Sequence, residues 1–129
     1  MKQKTFEGIT ILLLEDSFIL ALDVKQALNS LGATVVGPFA DTLQARHAFE
    51  SEKIDLALLD IQVRNGTSLN LAAEITEKNI PCVFLSGYGA HYEMPANLAE
   101  IRHLQKPFDV KEATKVLMSA LGLKEHGHG

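Results

Sequence analysis

The chain has 129 residues, of which 47% are hydrophobic and 22% are charged, and its formal net charge at pH 7 is -4. This length and balance are typical of a single folded domain and exclude an intrinsically disordered chain. Nucleic-acid binding depends on clustered Lys and Arg side chains, so the acidic balance also argues against nucleic acid as the main partner.

The sequence also predicts where the protein works. It contains no run of about eighteen apolar residues, the length that predicts a membrane-spanning helix. Residues 1–7 lack the apolar stretch of a signal peptide, so we expect a cytoplasmic protein with no membrane partner. The single cysteine, Cys82, excludes an internal disulfide, and its place in an apolar run predicts a small buried side chain.

The first part of the chain predicts two strands, each followed by a helix. Residues 9–14 form an apolar run that predicts the first strand. The apolar face of the helix that follows consists of Phe18, Ala21, Leu22, Leu28 and Leu31. Residues 34–36 predict a second strand that closes at Gly37-Pro38. Residues 42–51 predict a second helix with Asp41 or Thr42 as its N-cap.

Three more apolar runs follow, over residues 56–59, 82–85 and 101–104, and each predicts a strand. A loop through Asn65-Gly66 leads to a third helix near residues 68–78. A last helix is predicted over residues 110–121, with Asp109 as its cap.

The segment between the fourth and fifth strands is the least helical part of the chain. Gly87, Gly89 and Pro95 lie within it, so any helix there should be short or irregular. Because strands alternate with helices, we expect an α/β fold with right-handed crossovers. The predicted architecture is a doubly wound, flavodoxin-like parallel sheet of five strands in the order 2-1-3-4-5. One domain would span residues 1–129, with a core at about residues 8–121 and a frayed tail over residues 122–129.

Polar side chains follow four of these apolar runs, at the point where each predicted strand ends. They are Glu15-Asp16, Asp60, Ser86 and Lys106. Since ligands bind at the carboxyl edge of such sheets, we expect these side chains to meet in one pocket there. Hard carboxylate oxygens favour Mg²⁺, with Mn²⁺ as the alternative, over zinc.

Each of these residues can be given a chemical role. Asp16 and Asp60 could bind the ion directly, and Glu15 could reach it through water. An Asp carboxylate can also accept a phosphoryl group as an acyl phosphate. Lys106 would then offset the added charge, and the Ser86 hydroxyl could donate a hydrogen bond to a phosphoryl oxygen.

The order and spacing of these motifs resemble the receiver domains of two-component response regulators. Asp16, Asp60, Ser86 and Lys106 are separated by 44, 26 and 20 residues, and Pro107 follows the lysine. The resemblance implies that Asp60 is the phosphoacceptor and that Glu15, Asp16, Asp60 and the backbone carbonyl of Gln62 hold the metal. It also implies that Ser86, Gly87 and Lys106 bind the phosphoryl group and take part in the switch.

The resemblance also implies the partners and the activity of the protein. The phosphodonor would be a histidine kinase or a histidine phosphotransfer protein, and the signal would leave through a downstream protein. Such a domain catalyses only its own phosphorylation and dephosphorylation. Because no output domain follows Leu121, we expect a stand-alone receiver that signals through a protein contact. The expected contact face surrounds the fifth strand, the last helix and the fourth helix, which is the short or irregular one predicted in the segment after the fourth strand.

Departures from the family pattern lie beside the pocket. Residues 61–66 lack the usual Met-Pro pair, so the loop after Asp60 is shorter than in most receiver domains. In this respect the chain resembles a subfamily that has a shortened loop and a Ser-Gly-Tyr-Gly segment, which is matched here by residues 86–89. By that resemblance, Gln62 and Tyr88 influence the lifetime of the acyl phosphate. His103 occupies the aromatic switch position, so either His103 or Tyr88 is the candidate for the conformational toggle. For His103 the favoured interpretation is a partly buried structural histidine.

Other interpretations remain open at this point. The acidic pair could be a helix cap, Asp60 and Lys106 could be solvated strand ends, and Ser86 could be an ordinary turn residue. A haloacid dehalogenase type of phosphatase also uses a strand-end Asp, but Gln62 stands where its second Asp is usual. A phosphate sink in a phosphorelay and a phosphorylation-independent binding module are the remaining alternatives.

Overall fold

The structure is a computed structural model that describes residues 4–87 and 93–123. Four of the expectations above concern residues outside these ranges. They are the toggle role of Tyr88, its influence on the lifetime of the acyl phosphate, the Tyr-Gly part of the 86–89 segment, and residues 124–129 of the predicted tail.

A five-stranded parallel sheet forms the centre of the molecule, as predicted. Its strands in chain order are β1 (Thr10–Leu14), β2 (Thr34–Phe39), β3 (Leu56–Asp60), β4 (Cys82–Ser86) and β5 (Arg102–Gln105). They are arranged in the order β2-β1-β3-β4-β5, and every neighbouring pair is parallel. The strand order therefore reverses between β1 and β3, which places the ends of these two strands side by side.

Helices cover both faces of the sheet. They are α1 (Phe18–Ser30), α2 (Thr42–Ser51), α3 (Leu69–Glu77) and α4 (Val110–Leu121). Successive strand residues point to opposite faces, so Leu12 and Leu14 pack with α2 and α3, while Ile11 and Leu13 pack with α1 and α4. Because both faces are covered, the central strands are continuous apolar runs rather than alternating ones.

The predicted irregular segment contains a 3₁₀ helix over Ala96–Leu98 in its described part. Cys82 is buried as predicted, and burial raises the pKa of its thiol to about 12. Among the described helices, none combines the length and the apolarity needed to cross a membrane.

The helix ends follow the predicted capping residues. Asp41 rather than Thr42 is the N-cap of α2, because its Oδ1 accepts the Gln44 N–H at 2.9 Å. Asp109 caps α4 by accepting the Glu112 N–H at 3.2 Å. At the other end of α4, Gly122 adopts a left-handed φ of 72° and Leu123 donates to the Met118 carbonyl. These first two residues of the predicted tail are thus part of the helix end.

The predicted apolar face of α1 is partly wrong. Its buried residues are Ala21, Val24 and Leu28, whereas Phe18 is 75% and Leu22 39% exposed. Phe18 is the first residue of α1, four residues after β1 ends at Leu14. At roughly 100° per residue, Leu22 points about 160° away from Val24 and therefore away from the sheet.

Strand β2 is longer than predicted, since it continues through Gly37-Pro38 to Phe39. The pairing with β1 shifts register between Leu12 and Leu14, which accommodates the irregular backbone. Gly37 has a φ of 116°, and a Cβ at this position would lie 2.6 Å from the Leu13 carbonyl oxygen. β2 can pass β1 this closely only because residue 37 has no side chain.

The close approach predicts a stability difference between two glycine substitutions. Gly66 has a similar φ of 127° but open space around its Cβ position, so it is a matched control. Both Gly37→Ala and Gly66→Ala carry backbone strain, and we expect Gly37→Ala to cost at least about 1 kcal/mol more because of the steric conflict. Urea unfolding measures both free energies, and equal losses would contradict the proposed contact.

Candidate functional site

Backbone hydrogen bonds align the carboxyl ends of the strands. The Glu15 N–H donates to the Phe39 carbonyl at 2.9 Å, and the Lys106 N–H donates to the Ser86 carbonyl at 2.8 Å. Asp60, the last residue of β3, is paired in register with Leu85 of β4. These contacts bring Glu15, Asp60, Ser86 and Lys106 to one edge of the sheet, as the sequence predicts.

Three carboxylates meet where β1 and β3 end. Ligand oxygens of Glu15, Asp16 and Asp60 all lie within 4.8 Å of one another. Glu15 and Asp60 are 3% and 5% exposed, whereas Asp16 is exposed. Glu15 is oriented by its neighbour, since the Ser17 N–H donates to its Oε1 at 3.0 Å. The cluster thus has two buried acids and one open to solvent.

Lys106 is the counter-charge of this cluster. Its Nζ donates to Asp60 Oδ2 at 3.0 Å and lies 2.9 Å from Glu15 Oε2. The second contact is an ion pair without hydrogen-bond geometry, and Glu15 Oε2 receives no hydrogen bond from any described residue. One ammonium is therefore the counter-charge of two buried carboxylates. It donates a hydrogen bond to Asp60 but forms only an ion pair with Glu15.

The burial of these groups and the excess of negative charge over positive charge both affect the pKa values of the site. Burial raises the pKa of Asp60, the Lys106 hydrogen bond lowers it, and the charge of Glu15 raises it again, to about 7. Burial alone would lower the pKa of Lys106, but its contacts with Glu15 and Asp60 outweigh that effect and raise the pKa. The lysine therefore remains charged near neutral pH, while the Asp60 carboxyl loses its proton only at a higher pH than an ordinary aspartate does.

The donor set fits a hard divalent cation. Three carboxylates supply only oxygen ligands, and one buried oxygen, Glu15 Oε2, accepts no hydrogen bond within the part of the chain that the structure describes. A cation beside Asp60 would also stabilise the ionised form of its carboxyl. Glu15, Asp16 and Asp60 are therefore the residues that could hold a metal ion.

The remaining predicted site residues surround this cluster. Ser86 is buried at the end of β4, and Gly87 follows it. Gln62 is exposed and begins a small antiparallel hairpin, formed by Gln62–Val63 and Gly66–Thr67, two residues after Asp60. Gly66 is the first residue after the turn of this hairpin, and it has a φ of 127°, which favours glycine. The short hairpin therefore accounts for a glycine so soon after Asp60.

His103 is more exposed than the sequence interpretation expects. It lies on β5, the edge strand of the described sheet, and its side chain is exposed. Its ring packs against Phe84 with centroids 5.4 Å apart, and this partial burial lowers its pKa. The structure therefore gives His103 an aromatic cross-strand contact.

Two groups of residues near the site were not predicted. Phe18, Ile19 and Leu22 expose apolar side chains on α1, directly after the acidic pair. Asn65, in the turn of the hairpin, forms paired hydrogen bonds with Thr42, the first residue of α2. The Asn-Gly turn signals a loop but not its partner, so sequence spacing could not reveal this second contact.

Comparison with known proteins agrees with this geometry. Residues 11–118 match the family model described as response regulator receiver domain. The transcriptional regulatory protein CrdR of Helicobacter pylori is 34% identical over 107 residues, which are 79% of this chain and 50% of CrdR. Sporulation initiation phosphotransferase F of Bacillus subtilis is 25% identical over 90% of this chain and 96% of its own. The chain spans about half the length of the first curated relatives it matches.

Solved structures show the same fold. SdrG from Sphingomonas melonis Fr1 superposes with a TM-score of 0.77 and 30% identity, over 95% of this chain and 100% of its own. The receiver domain of the sensor histidine kinase PA1611 from Pseudomonas aeruginosa PAO1 superposes with a TM-score of 0.76 and 26% identity, over 89% of this chain and 98% of its own. That structure holds a magnesium ion coordinated in its active-site cleft.

The buried, crowded Asp60 predicts a stabilising substitution. Its pKa is raised from 3.8 to about 7, so the folded state binds more protons between these values and loses stability as the pH rises through them. In the metal-free protein at pH 8, Asp60→Asn should raise the stability by about 1 kcal/mol or more, roughly 4 °C in Tm. The gain should shrink as the pH falls towards 4.

Thermal unfolding in EDTA across this pH range measures the effect. Asp23→Asn is the control, because Asp23 is an exposed carboxylate on α1. A destabilised Asp60→Asn protein at pH 8, or a gain independent of pH, would contradict the crowded-carboxylate interpretation.

Proposed function

This chain belongs to the response regulator receiver domain family, and on that premise we propose that it is a signalling switch phosphorylated on Asp60. The observation that carries the proposal is the position of Lys106, whose Nζ lies 3.0 Å from Asp60 and 2.9 Å from Glu15, beside Asp16. A nucleophilic carboxylate, a fixed ammonium and further acids at one sheet edge are the groups that phosphoryl transfer needs.

The proposed reaction moves a phosphoryl group from a phosphohistidine to Asp60. A carboxylate oxygen of Asp60 forms a bond to phosphorus while the phosphorus–nitrogen bond breaks, and the released imidazole takes up a proton. Lys106 then pairs with the phosphoryl oxygens. The Ser86 hydroxyl and the Gly87 N–H are the donors next to it at the end of β4.

The metal for this step is Mg²⁺, with Mn²⁺ as an alternative, held by Glu15, Asp16, Asp60 and the Gln62 carbonyl. When bound, the ion neutralises charge on the acids and on the transferring group. The acids of this chain supply an oxygen-only site, which suits Mg²⁺ better than zinc. The magnesium ion in the PA1611 receiver domain supports this assignment.

The phosphodonor is a histidine kinase or a histidine phosphotransfer protein. Such a partner has to bring its phosphohistidine to the edge that holds Asp60. Phe18 and Ile19 are 75% and 73% exposed at the start of α1, two and three residues after Asp16. Exposed apolar side chains beside a reactive site are typical of a protein contact, so this part of α1 is the proposed docking surface for the donor.

Phosphorylation would shift Ser86 towards the new oxygens and change the segment up to β5. A local charge that biases a packed element is a known type of switch. The signal would leave through a downstream protein at the face of β5 and α4, in the cytoplasm. On this account the chain acts catalytically only on its own phosphorylation, and a phosphate sink in a phosphorelay is the alternative use of the same chemistry.

Labelling with acetyl phosphate tests the phosphoacceptor. The wild-type protein with Mg²⁺ should gain one phosphoryl group by intact mass, and Asp60→Asn should gain none. Lys106→Ala keeps Asp60 as the acceptor, so this variant should still be labelled, but at a lower rate or with a changed lifetime of the acyl phosphate. Labelling of Asp60→Asn at the wild-type level would exclude Asp60 as the acceptor.

The docking surface predicts a difference between two phosphodonors. Phe18→Ala combined with Ile19→Ala should reduce transfer from a phosphorylated histidine phosphotransfer protein by about tenfold, while labelling by acetyl phosphate stays at the wild-type rate. Leu43→Ala is the matched control, because Leu43 is 68% exposed on α2. If the control slows protein-mediated transfer equally, or the α1 variant does not slow it, the surface is wrongly assigned.

A further inference from the structure

Residues 39–42, which we call the strap, connect two loops that carry the acidic cluster. On one side, the Phe39 carbonyl accepts the Glu15 N–H at 2.9 Å. On the other side, the Ala40 carbonyl accepts the Arg64 N–H at 3.4 Å. The strap thus links the β1–α1 loop, which holds Glu15 and Asp16, to the loop that follows Asp60.

A reciprocal pair of hydrogen bonds completes the second connection. The Asn65 side chain accepts the Thr42 N–H on Oδ1 at 3.3 Å and donates from Nδ2 to Thr42 Oγ1 at 2.9 Å. Both bonds use the planar amide of Asn65, so they fix its orientation as well as its distance. We call this pair the latch.

The hairpin on which Asn65 lies needs support from outside. Its strands are Gln62–Val63 and Gly66–Thr67, and every one of residues 62–67 except Val63 is exposed. An isolated two-stranded hairpin is marginally stable in water. Val63 packs in the core, and the latch together with the Arg64 bond holds the turn.

We propose that Asn65 and Thr42 are positioning residues for the metal and phosphoryl site. The latch sets where the hairpin, and with it Gln62, stands relative to Glu15 and Asp16 on the far side of the strap. This inference rests on the proposed function, because it assigns the residues that hold a proposed metal-binding loop in place. Neither residue touches the reacting atoms.

A purely structural role is the competing explanation. Asn65 Oδ1 accepts an N–H in the first turn of α2, so the latch also caps this helix. Asp41 caps the same helix by accepting the Gln44 N–H, but it takes no part in the latch. Asp41→Ala is therefore the matched control, since it weakens the cap of α2 and leaves both latch bonds intact.

The experiment measures Mg²⁺ affinity by NMR amide shifts and, separately, the lifetime of the acyl phosphate after acetyl phosphate is removed. Asn65→Ala should weaken Mg²⁺ binding about threefold to tenfold and change the acyl-phosphate lifetime. Thr42→Val removes only the bond to Thr42 Oγ1 and keeps the N–H that donates to Asn65 Oδ1, so it should weaken Mg²⁺ binding less than Asn65→Ala does. The double variant should be no worse than Asn65→Ala alone, because that substitution already removes both bonds.

Two controls separate positioning from stability. Thr42→Ser keeps the hydroxyl and the backbone N–H, so it should behave like the wild type. Asp41→Ala should lower the Tm while Mg²⁺ affinity stays unchanged. If Asn65→Ala binds Mg²⁺ like the wild type, or if Asp41→Ala weakens binding equally, the positioning role is overturned.

Failure of the proposed function is a different result. A wild-type protein that binds Mg²⁺ but takes up no phosphoryl group would contradict the proposed function. The Mg²⁺ affinities of the wild type and the variants would still decide the role of the latch. A wild-type protein that is labelled, with an Asn65→Ala variant unchanged in both measurements, would contradict the latch alone. A wild type with no Mg²⁺ binding would overturn both.

Discussion

One ammonium placed between two buried carboxylates is the interaction on which the site depends. Lys106 lies within 3.0 Å of both Asp60 and Glu15, and Asp16 adds a third acid at the rim. Burial of Asp60 and the charge of Glu15 outweigh the effect of this single positive charge, so the pKa of the Asp60 carboxyl is raised to about 7. The folded protein thus holds a charge arrangement that a divalent cation would complete. It is the kind of local cost that proteins keep at functional sites.

The sheet makes this arrangement possible. Because β1 and β3 are neighbours at the point where strand order reverses, their terminal acids meet, and the parallel neighbours β4 and β5 bring Ser86 and Lys106 to the same edge. The core beneath is apolar on both faces and fixes the strand ends. Two of the loops at that edge, the β1–α1 loop and the loop after Asp60, are joined by hydrogen bonds to the strap. Rigid strands therefore fix most of the charged groups, while the loop after Asp60 is held by the latch.

The features that sequence could predict are those set by periodicity and order. Apolar runs, their alternation with helices and the polar residue after each run were enough for the strand order and for the meeting of Glu15, Asp60 and Lys106. Features that depend on tertiary neighbours were not predictable in this way. The exposure of Phe18 depends on what packs against the start of α1, and the length of β2 depends on a close approach of Gly37 to the Leu13 carbonyl. The latch between Asn65 and Thr42 joins residues 23 apart with no pattern to connect them.

Burial and the neighbouring charge of Glu15 make Asp60 a carboxyl whose charge depends on a cation. The most direct measurement is a carbon-13 NMR titration of the Asp60 side-chain carboxyl, with and without Mg²⁺. We expect an apparent pKa of about 7 in the metal-free protein and a clear fall of this pKa on adding Mg²⁺. An ordinary aspartate pKa that Mg²⁺ does not change would contradict it.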